Sequence, residues 1–338
     1  MVSTPWFETP PTGYGGIEAM CADLVDGLVS LGHEVTLIGV GDHHTAAKRF
    51  ASTYSEPQGG RVGQSIPEVL HAARAARVLS ELDRSDALDL IHDHSTAGPL
   101  AARCRPAPTV VTAHGPANGE FGQYYRALGD TIALVAISDA QRASAPDLPW
   151  IGRVYNAIPV HTYPFNRDKG DYALFLGRCS PEKGAHLAID AAHEAGVRLL
   201  MAGKCSEPPE RAYFEAEIEP RLGDHAVWLG EADAERKREL LAWARCLLMP
   251  VCWEEPFGIV MAEALACGTP VAGFPRGSVP EVVHDGVTGI LCDGVDELAK
   301  AIIKCGRLDP AACRADAQER FDVPAMARGY EAVYLDLC

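Results

Sequence analysis

The order of apolar runs along the chain predicts an α/β fold in which parallel sheets are wound with helices, repeated twice in tandem. Three observations carry this expectation. Short β-rich apolar runs alternate with amphipathic helical stretches throughout, the pattern of a doubly wound parallel sheet. The alternation breaks at residues 154–171, VYNAIPVHTYPFNRDKGD, and then restarts; proline, asparagine and charge in that stretch read as an interdomain linker. The length of 338 residues divides into about two domains at roughly 150 residues each.

Taken in order, IEAMCADLVDGLVSLG places Met20, Leu24, Leu28 and Leu31 at three- and four-residue steps and ends on a glycine suited to a helix C-cap. HEVTLIGVG follows as a strand of the kind a parallel sheet buries on both faces. A helix through Val69 to Leu82 leads to the strand ALDLIHDHS, and PTVVTAHG and ALVAIS supply two more. After the linker, DYALFLGR, VRLLMAG, AVWLG, CLLMPV, TPVAGF and GVTGILC read as strands. AHLAIDAAHEAG, ERKRELLAWAR and the segment from Ile259 to Cys267 read as helices. This order predicts two Rossmann-like domains with a cleft at the carboxyl ends of their sheets. Only MVSTPW precedes the first helical loop, so the first strand is either very short or cut by the chosen start codon, which leaves room for a longer amino terminus.

Composition narrows the function. Thirty Lys+Arg against 46 Asp+Glu give 30 − 46 = −16. Split near Val160, the halves carry 11 − 17 = −6 and 19 − 29 = −10, so neither has the basic balance of a nucleic-acid or anionic-membrane binder. Hydrophobic residues make up 47% of the chain, enough for a core in each half. No apolar run approaches about 18 residues, and MVSTPWFETPP lacks a signal-peptide pattern, so the expectation is a soluble, cytoplasmic protein. Eleven cysteines without a CxxC pair fit reduced core thiols better than a disulfide framework or a zinc site.

Three segments carry chemistry. PPTGYGGIE sets Gly13, Gly15 and Gly16 between a strand and a helix. There, backbone N–H groups and the helix amino end can meet an anion, although a ligand-free tight turn needs the same residues. LGRCSPEKG brings Arg178 off a strand's carboxyl end and Lys183 into the next element, with Ser180 as a candidate cap and Pro181 in the first turn; two cations at such a place suit a diphosphate. EEPFGIVMAEALACGTPV separates Glu255 and Glu263 by eight positions, Glu255 in a loop and Glu263 about a turn and a half into a helix that stops at Gly268. At about 1.5 Å per residue such carboxylates reach opposite ends of one ligand roughly 8–10 Å long. A glycosidase pair, about 5–9.5 Å apart across one bond, is the alternative; the nearby cations favour a ligand clamp.

Together GYGGIE, VTAHG, VYNAI, FLGRCSPEKG and EEPFGIVMAEALACGTPVAGFPRGSVPEVVHDGVTGIL resemble the GT-B-fold glycosyltransferases of family 4, retaining enzymes that use nucleotide sugars. The resemblance runs from Pro10 to about Gly294 and is most specific in the E-x7-E segment with its G-T-P-V tail. It implies two Rossmann-like domains facing across a cleft. Residues 1–158 would form the acceptor side, joined by a returning helix at about 322–338, and residues 159–321 the nucleotide-sugar side. It implies that Glu263 accepts hydrogen bonds from the ribose hydroxyls, and that Glu255 meets sugar hydroxyls together with the amides of Phe257, Gly258 and Ile259. Arg178 and Lys183 would neutralise the leaving diphosphate, Gly15 and Gly16 approach it, and His114 contact the sugar at the reaction centre. The implied partners are a nucleoside diphosphate sugar and a hydroxyl acceptor, with no permanently bound cofactor and no metal.

Two further clusters stay open on residues alone. In His92-Asp93-His94 the histidines point the same way from a strand, which allows metal binding, site lining or structural hydrogen bonding. The resemblance fits lining, with His92 and His94 in the cleft. Glu231, Asp233 and Glu235 look like a cation site, yet Asp233 precedes a helix as a natural N-cap. The rival functions are a sugar-nucleotide epimerase, which would isomerise the donor alone, and a non-catalytic sugar-nucleotide binder. A nicotinamide dehydrogenase is disfavoured because no GxGxxG is followed by an acid about 20 residues on. The acidic balance of the first half points to a soluble acceptor such as a sugar or small metabolite.

Overall fold

The computed structural model describes residues 1–13, 15–85 and 88–337. The chain divides into two compact units, residues 1–158 with 323–338, and residues 159–322.

The first unit runs α1 (Gly16–Ser30), β1 (Thr36–Gly39), β2 (Arg49–Ser52), α2 (Ser65–Ser85), β3 (Ile91–Asp93), β4 (Thr109–Thr112), α3 (Gly119–Leu128), β5 (Ala133–Ala136), α4 (Asp139–Ser144) and β6 (Trp150–Arg153). All neighbouring strands are parallel, with β1 on β2 and β3-β4-β5-β6 in order. The first strand is reduced to a single bridging residue. Val2 pairs in parallel with both Ile38 and Asp93 and so stands between β1 and β3. Two elements were not foreseen, β2 and β6. Both lie at sheet edges with partly exposed residues, so neither carries the doubly buried apolar signature of the interior strands. Trp150–Arg153 also corrects the linker reading from its near side. Val154, Ala157 and Ile158 are buried behind that strand, and Val160 and Tyr163 are buried just beyond. The stretch is packed along much of its length.

The second unit runs β7 (Tyr172–Leu176), α5 (Ala185–Glu194), β8 (Arg198–Ala202), α6 (Pro208–Tyr213), β9 (Ala226–Trp228), α7 (Ala234–Trp243), β10 (Cys246–Met249), α8 (Ile259–Ala266), β11 (Val271–Gly273), α9 (Val279–Val282), β12 (Gly289–Leu291), α10 (Val295–Cys305) and α11 (Pro310–Arg320). Its six parallel strands lie in the order β12-β11-β10-β7-β8-β9, the 3-2-1-4-5-6 arrangement of a Rossmann sheet. Phe175, Ile189, Leu199, Met201, Leu248, Leu298 and Ile302 form its main core, each contributing about 1.5–3 kcal/mol by leaving water.

A last helix, α12 (Val323–Leu335), belongs to the first unit. Met326, Tyr330, Val333 and Tyr334 join Met20, Leu24, Leu28, Leu37 and Val110 in one core. α12 crosses α1 at Gly27, where a Cβ would fall 2.8 Å from that of Ala327. Among the described residues no helix is long and apolar enough to cross a membrane, and their cysteines are all free thiols, most of them buried.

Candidate functional site

In the second unit the strand order reverses between β7 and β10, and the carboxyl ends of those strands are where a Rossmann sheet binds ligands. The segments leaving them carry the charged motifs. Gly184, in the left-handed region at φ 71°, sits so close to the other segment that a Cβ would fall 2.0 Å from the Pro250 carbonyl oxygen. The Cys252 amide donates to the Glu182 carbonyl at 2.8 Å. This contact brings Lys183 to Glu255: Nζ donates to Oε2 at 2.6 Å, and the Trp253 indole N–H donates to the same oxygen at 2.9 Å. The ammonium also lies 4.9 Å from the Trp253 ring centroid. Glu255 is 6% exposed, and its backbone is held by the Ser278 amide, which donates to its carbonyl at 2.9 Å.

Arg178 is held in an ion pair with Glu182 at 3.1 Å and lies 3.9 Å from Glu210. Glu210 is buried and accepts from the Ser206 and Glu207 amides, so its carboxylate also closes the capping box of α6. Ser180 does not cap a helix by its side chain. A single 3₁₀ turn, Pro181–Lys183, intervenes before α5, which opens at Gly184, because the left-handed Gly184 turns the chain before the α-helix begins.

The E-x7-E segment lies across the start of α8. Phe257 is buried, with its carbonyl accepting from Ser278 Oγ at 2.9 Å. Gly258, at φ 69°, is the N-cap, with no side chain to satisfy the first turn, and Ile259 opens the helix. First-turn N–H groups without a side-chain cap suit an oxygen-rich or anionic ligand. Glu263, the fifth residue of α8, is 5% exposed. Its Oε1 accepts from the Tyr163 hydroxyl at 2.8 Å and from Lys237 Nζ at 2.5 Å. Sequence reasoning missed Tyr163, Lys237 and Trp253. Tyr163 lay inside the supposed linker and Lys237 on what read as a solvated helix face; only Trp253, two residues from Glu255, had a local signal. Asp233 caps α7 by accepting from the Arg236 amide at 2.8 Å, and so sets the turn that carries Lys237.

In the first unit, Gly15 is the N-cap of α1 at φ 149° and Gly16 is its first residue. A Cβ on Gly15 would meet the Pro11 ring at 2.9 Å and Glu18 Oε2 at 3.2 Å. Glu18 is buried and bonded to the Thr4 hydroxyl, and burial pushes its pKa up. The three histidines form a connected cluster at the carboxyl ends of β3 and β4. His92 is spent on structure, its Nδ1 bonded to the Tyr334 hydroxyl at 2.7 Å and its Nε2 to Thr112 Oγ1 at 2.8 Å. His94 Nδ1 lies 2.9 Å from His114 Nε2. Burial pushes the pKa of His92 and His94 well down and that of His114 to about 4, so all three rings are neutral at pH 7. Asp93, between them in sequence, faces elsewhere. It accepts from Ser95 N and Oγ and from Arg105 Nη2 at 2.5 Å. Among the described residues no group of three or more His, Cys, Asp or Glu is placed to hold a metal ion. A cavity of about 700 Å³ in this unit, lined by Met1, Val35, Thr36, Ile91 and Tyr334, opens at the amino-terminal ends of β1 and β3, opposite the strand ends that carry His94 and His114.

Comparison with known proteins agrees with this arrangement. Residues 163–319 match the family model of glycosyl transferases group 1, and residues 14–162 that of glycosyltransferase family 4. The chain is 34% identical to the N-acetyl-alpha-D-glucosaminyl L-malate synthase of Bacillus anthracis over 96% of this chain and 94% of the relative. It is 27% identical to the alpha-maltose-1-phosphate synthase of Mycolicibacterium smegmatis over 84% of this chain and 82% of the relative. Among solved structures, AviGT4, a glycosyltransferase involved in avilamycin A biosynthesis, superposes with a TM-score of 0.71 at 27% identity, covering 99% of this chain and 96% of that one. Anabaena HepE in complex with UDP and glucose shares the fold with a TM-score of 0.74 at 20% identity, covering 98% and 99%. With two Rossmann-like units, matches to both family models and a relative this close over nearly its whole length, the chain belongs to the GT-B-fold glycosyltransferases of family 4, group 1.

Proposed function

We propose that this glycosyltransferase moves a hexose-type unit from a nucleoside diphosphate sugar to a hydroxyl acceptor with retention of configuration. One observation carries the reading furthest. At the strand reversal of the second unit, two buried glutamates, each steered by a lysine, lie beside the uncapped amino end of α8. Acceptor-only carboxylates suit vicinal hydroxyls, and first-turn amides suit a phosphate oxygen or sugar hydroxyl. In this reading Glu263 takes the ribose, Glu255 with the Phe257, Gly258 and Ile259 amides takes the sugar, and Arg178 and Lys183 supply positive charge to the departing diphosphate. The Gly15-Gly16 turn, His114 and His94 of the first unit serve the sugar and the acceptor. The free thiols support a reducing, cytoplasmic setting, and the acidic balance of the first half supports a soluble acceptor.

Labelled UDP-, GDP-, ADP- and TDP-sugars test the reading directly. One of them should bind and be turned over, slowly to water and faster with an acceptor, and the anomer of the product reports retention. Failure of all four to bind or react would sink the proposal. Glu263→Ala should raise the donor KM more than it alters kcat, whereas Arg178→Ala should lower kcat by about a hundredfold, as removal of a preorganised electrostatic group does.

A further inference from the structure

We infer that Tyr163 and Lys237 are positioning residues that fix the Glu263 carboxylate for a cis-diol, so that the site takes ribonucleoside diphosphates in preference to their 2′-deoxy counterparts. The inference rests on the donor-site reading above and deepens it.

Both partners of Glu263 converge on one oxygen, Oε1, at 2.8 Å from the phenol and 2.5 Å from the ammonium. Two donors on one oxygen fix the rotation of the carboxylate plane, which a single bond leaves free. Each donor is itself held. Tyr163 is buried, with the Arg238 guanidinium 5.1 Å from its ring centroid. Arg314 Nη1 donates both to the Tyr163 carbonyl at 2.8 Å and to the Ala266 carbonyl at 2.5 Å, so the backbone of Tyr163 is tied to the last turn of the helix that carries Glu263. Burial and the Glu263 charge hold the phenol protonated, so it donates. Lys237 sits in the first turn of α7, where its amide donates to the Asp233 carbonyl at 2.9 Å.

With Oε1 saturated, Oε2 is the oxygen that turns to a ligand. An acceptor-only oxygen of fixed direction takes two neighbouring O–H groups together, and a 2′-deoxyribose brings one fewer. Losing one charge-assisted hydrogen bond from a built site costs roughly ten- to a hundredfold in affinity. A merely structural tie between α7 and α8 would change stability without setting this ratio.

Titration calorimetry with UDP, GDP and ADP beside dUDP, dGDP, dADP and dTDP tests the inference without an acceptor. The wild-type protein should favour the ribo form of its preferred base by about tenfold or more. In Tyr163→Phe and Lys237→Met the ribo-to-deoxy ratio should fall towards one, and Lys237→Arg should restore it. Wild-type protein that binds ribo and deoxy forms equally, or a ratio unchanged in both Tyr163→Phe and Lys237→Met, would overturn the inference while leaving the donor site intact. Failure of every diphosphate to bind the wild-type protein would instead remove the donor-site reading, and this inference with it.

Discussion

At the scale of single residues the protein meets its acidic excess by pairing. Lys183 with Glu255, Lys237 with Glu263 and Arg105 with Asp93 each set a cation against a nearly buried carboxylate. Such pairs add little net stability when intact, because desolvation offsets attraction, but breaking one leaves a stranded charge. Arg105 and Asp93 are the clearest instance, with side chains only 4% and 0% exposed. Arg105→Ala should destabilise the first unit by about 3–5 kcal/mol, read by urea unfolding. The double variant with Asp93→Asn should recover part of that loss. A single variant as stable as the wild type would show that the pair carries no such burden.

At the scale of elements, the glycines show which backbone approaches the site cannot spare. Gly277, at φ 56°, lies so near the loop before α8 that a Cβ would fall 2.3 Å from both the amide nitrogen and the carbonyl oxygen of Glu255. Gly277→Ala should therefore displace Glu255 and weaken donor-sugar binding by about tenfold or more, a shift of about 1.4 kcal/mol. Gly286 has a similar φ of 75° but open space around it. Gly286→Ala should cost roughly 1 kcal/mol of stability for the left-handed backbone and leave donor affinity as it was. Equal donor affinities in the two variants would refute the steric account of Gly277.

At the scale of the whole molecule, the two units should respond differently to acid. His92, His94 and His114 have pKa values lowered by burial, the last to about 4, and the Met1 amine is lowered to about 6. Unfolded imidazoles titrate near 6.5, so below that pH the unfolded chain binds protons that the folded one refuses. Stability of the first unit therefore falls as pH drops from about 6.5 towards 4, and the amine adds a loss between about 8 and 6. Buried Glu18 and Glu68, with pKa values raised by burial, act in the opposite sense at the acid end. Hydrogen exchange at pH 7.5 and 5.5 should show protection lost in β3, β4 and α12 before the strands of the second unit. Equal protection of β3, β4 and α12 at the two pH values would disprove this.

The sequence by itself determined the doubly wound α/β fold, since interior strands buried on both faces announce themselves as continuous apolar runs and α8 ends at a glycine followed by proline. It also marked Arg178, Lys183, Glu255 and Glu263, because those residues lie in short contiguous motifs. Edge strands β2 and β6 escaped because half-exposed residues carry no such run. Tertiary structure alone decided what the motif residues touch. Tyr163 and Lys237 reach Glu263 across 100 and 26 positions, and His92 is tied to Tyr334 across 242. A local pattern records what a residue contributes to its own helix or strand. Which side chains share one carboxylate is set by the strand order, and that order is a property of the folded sheet.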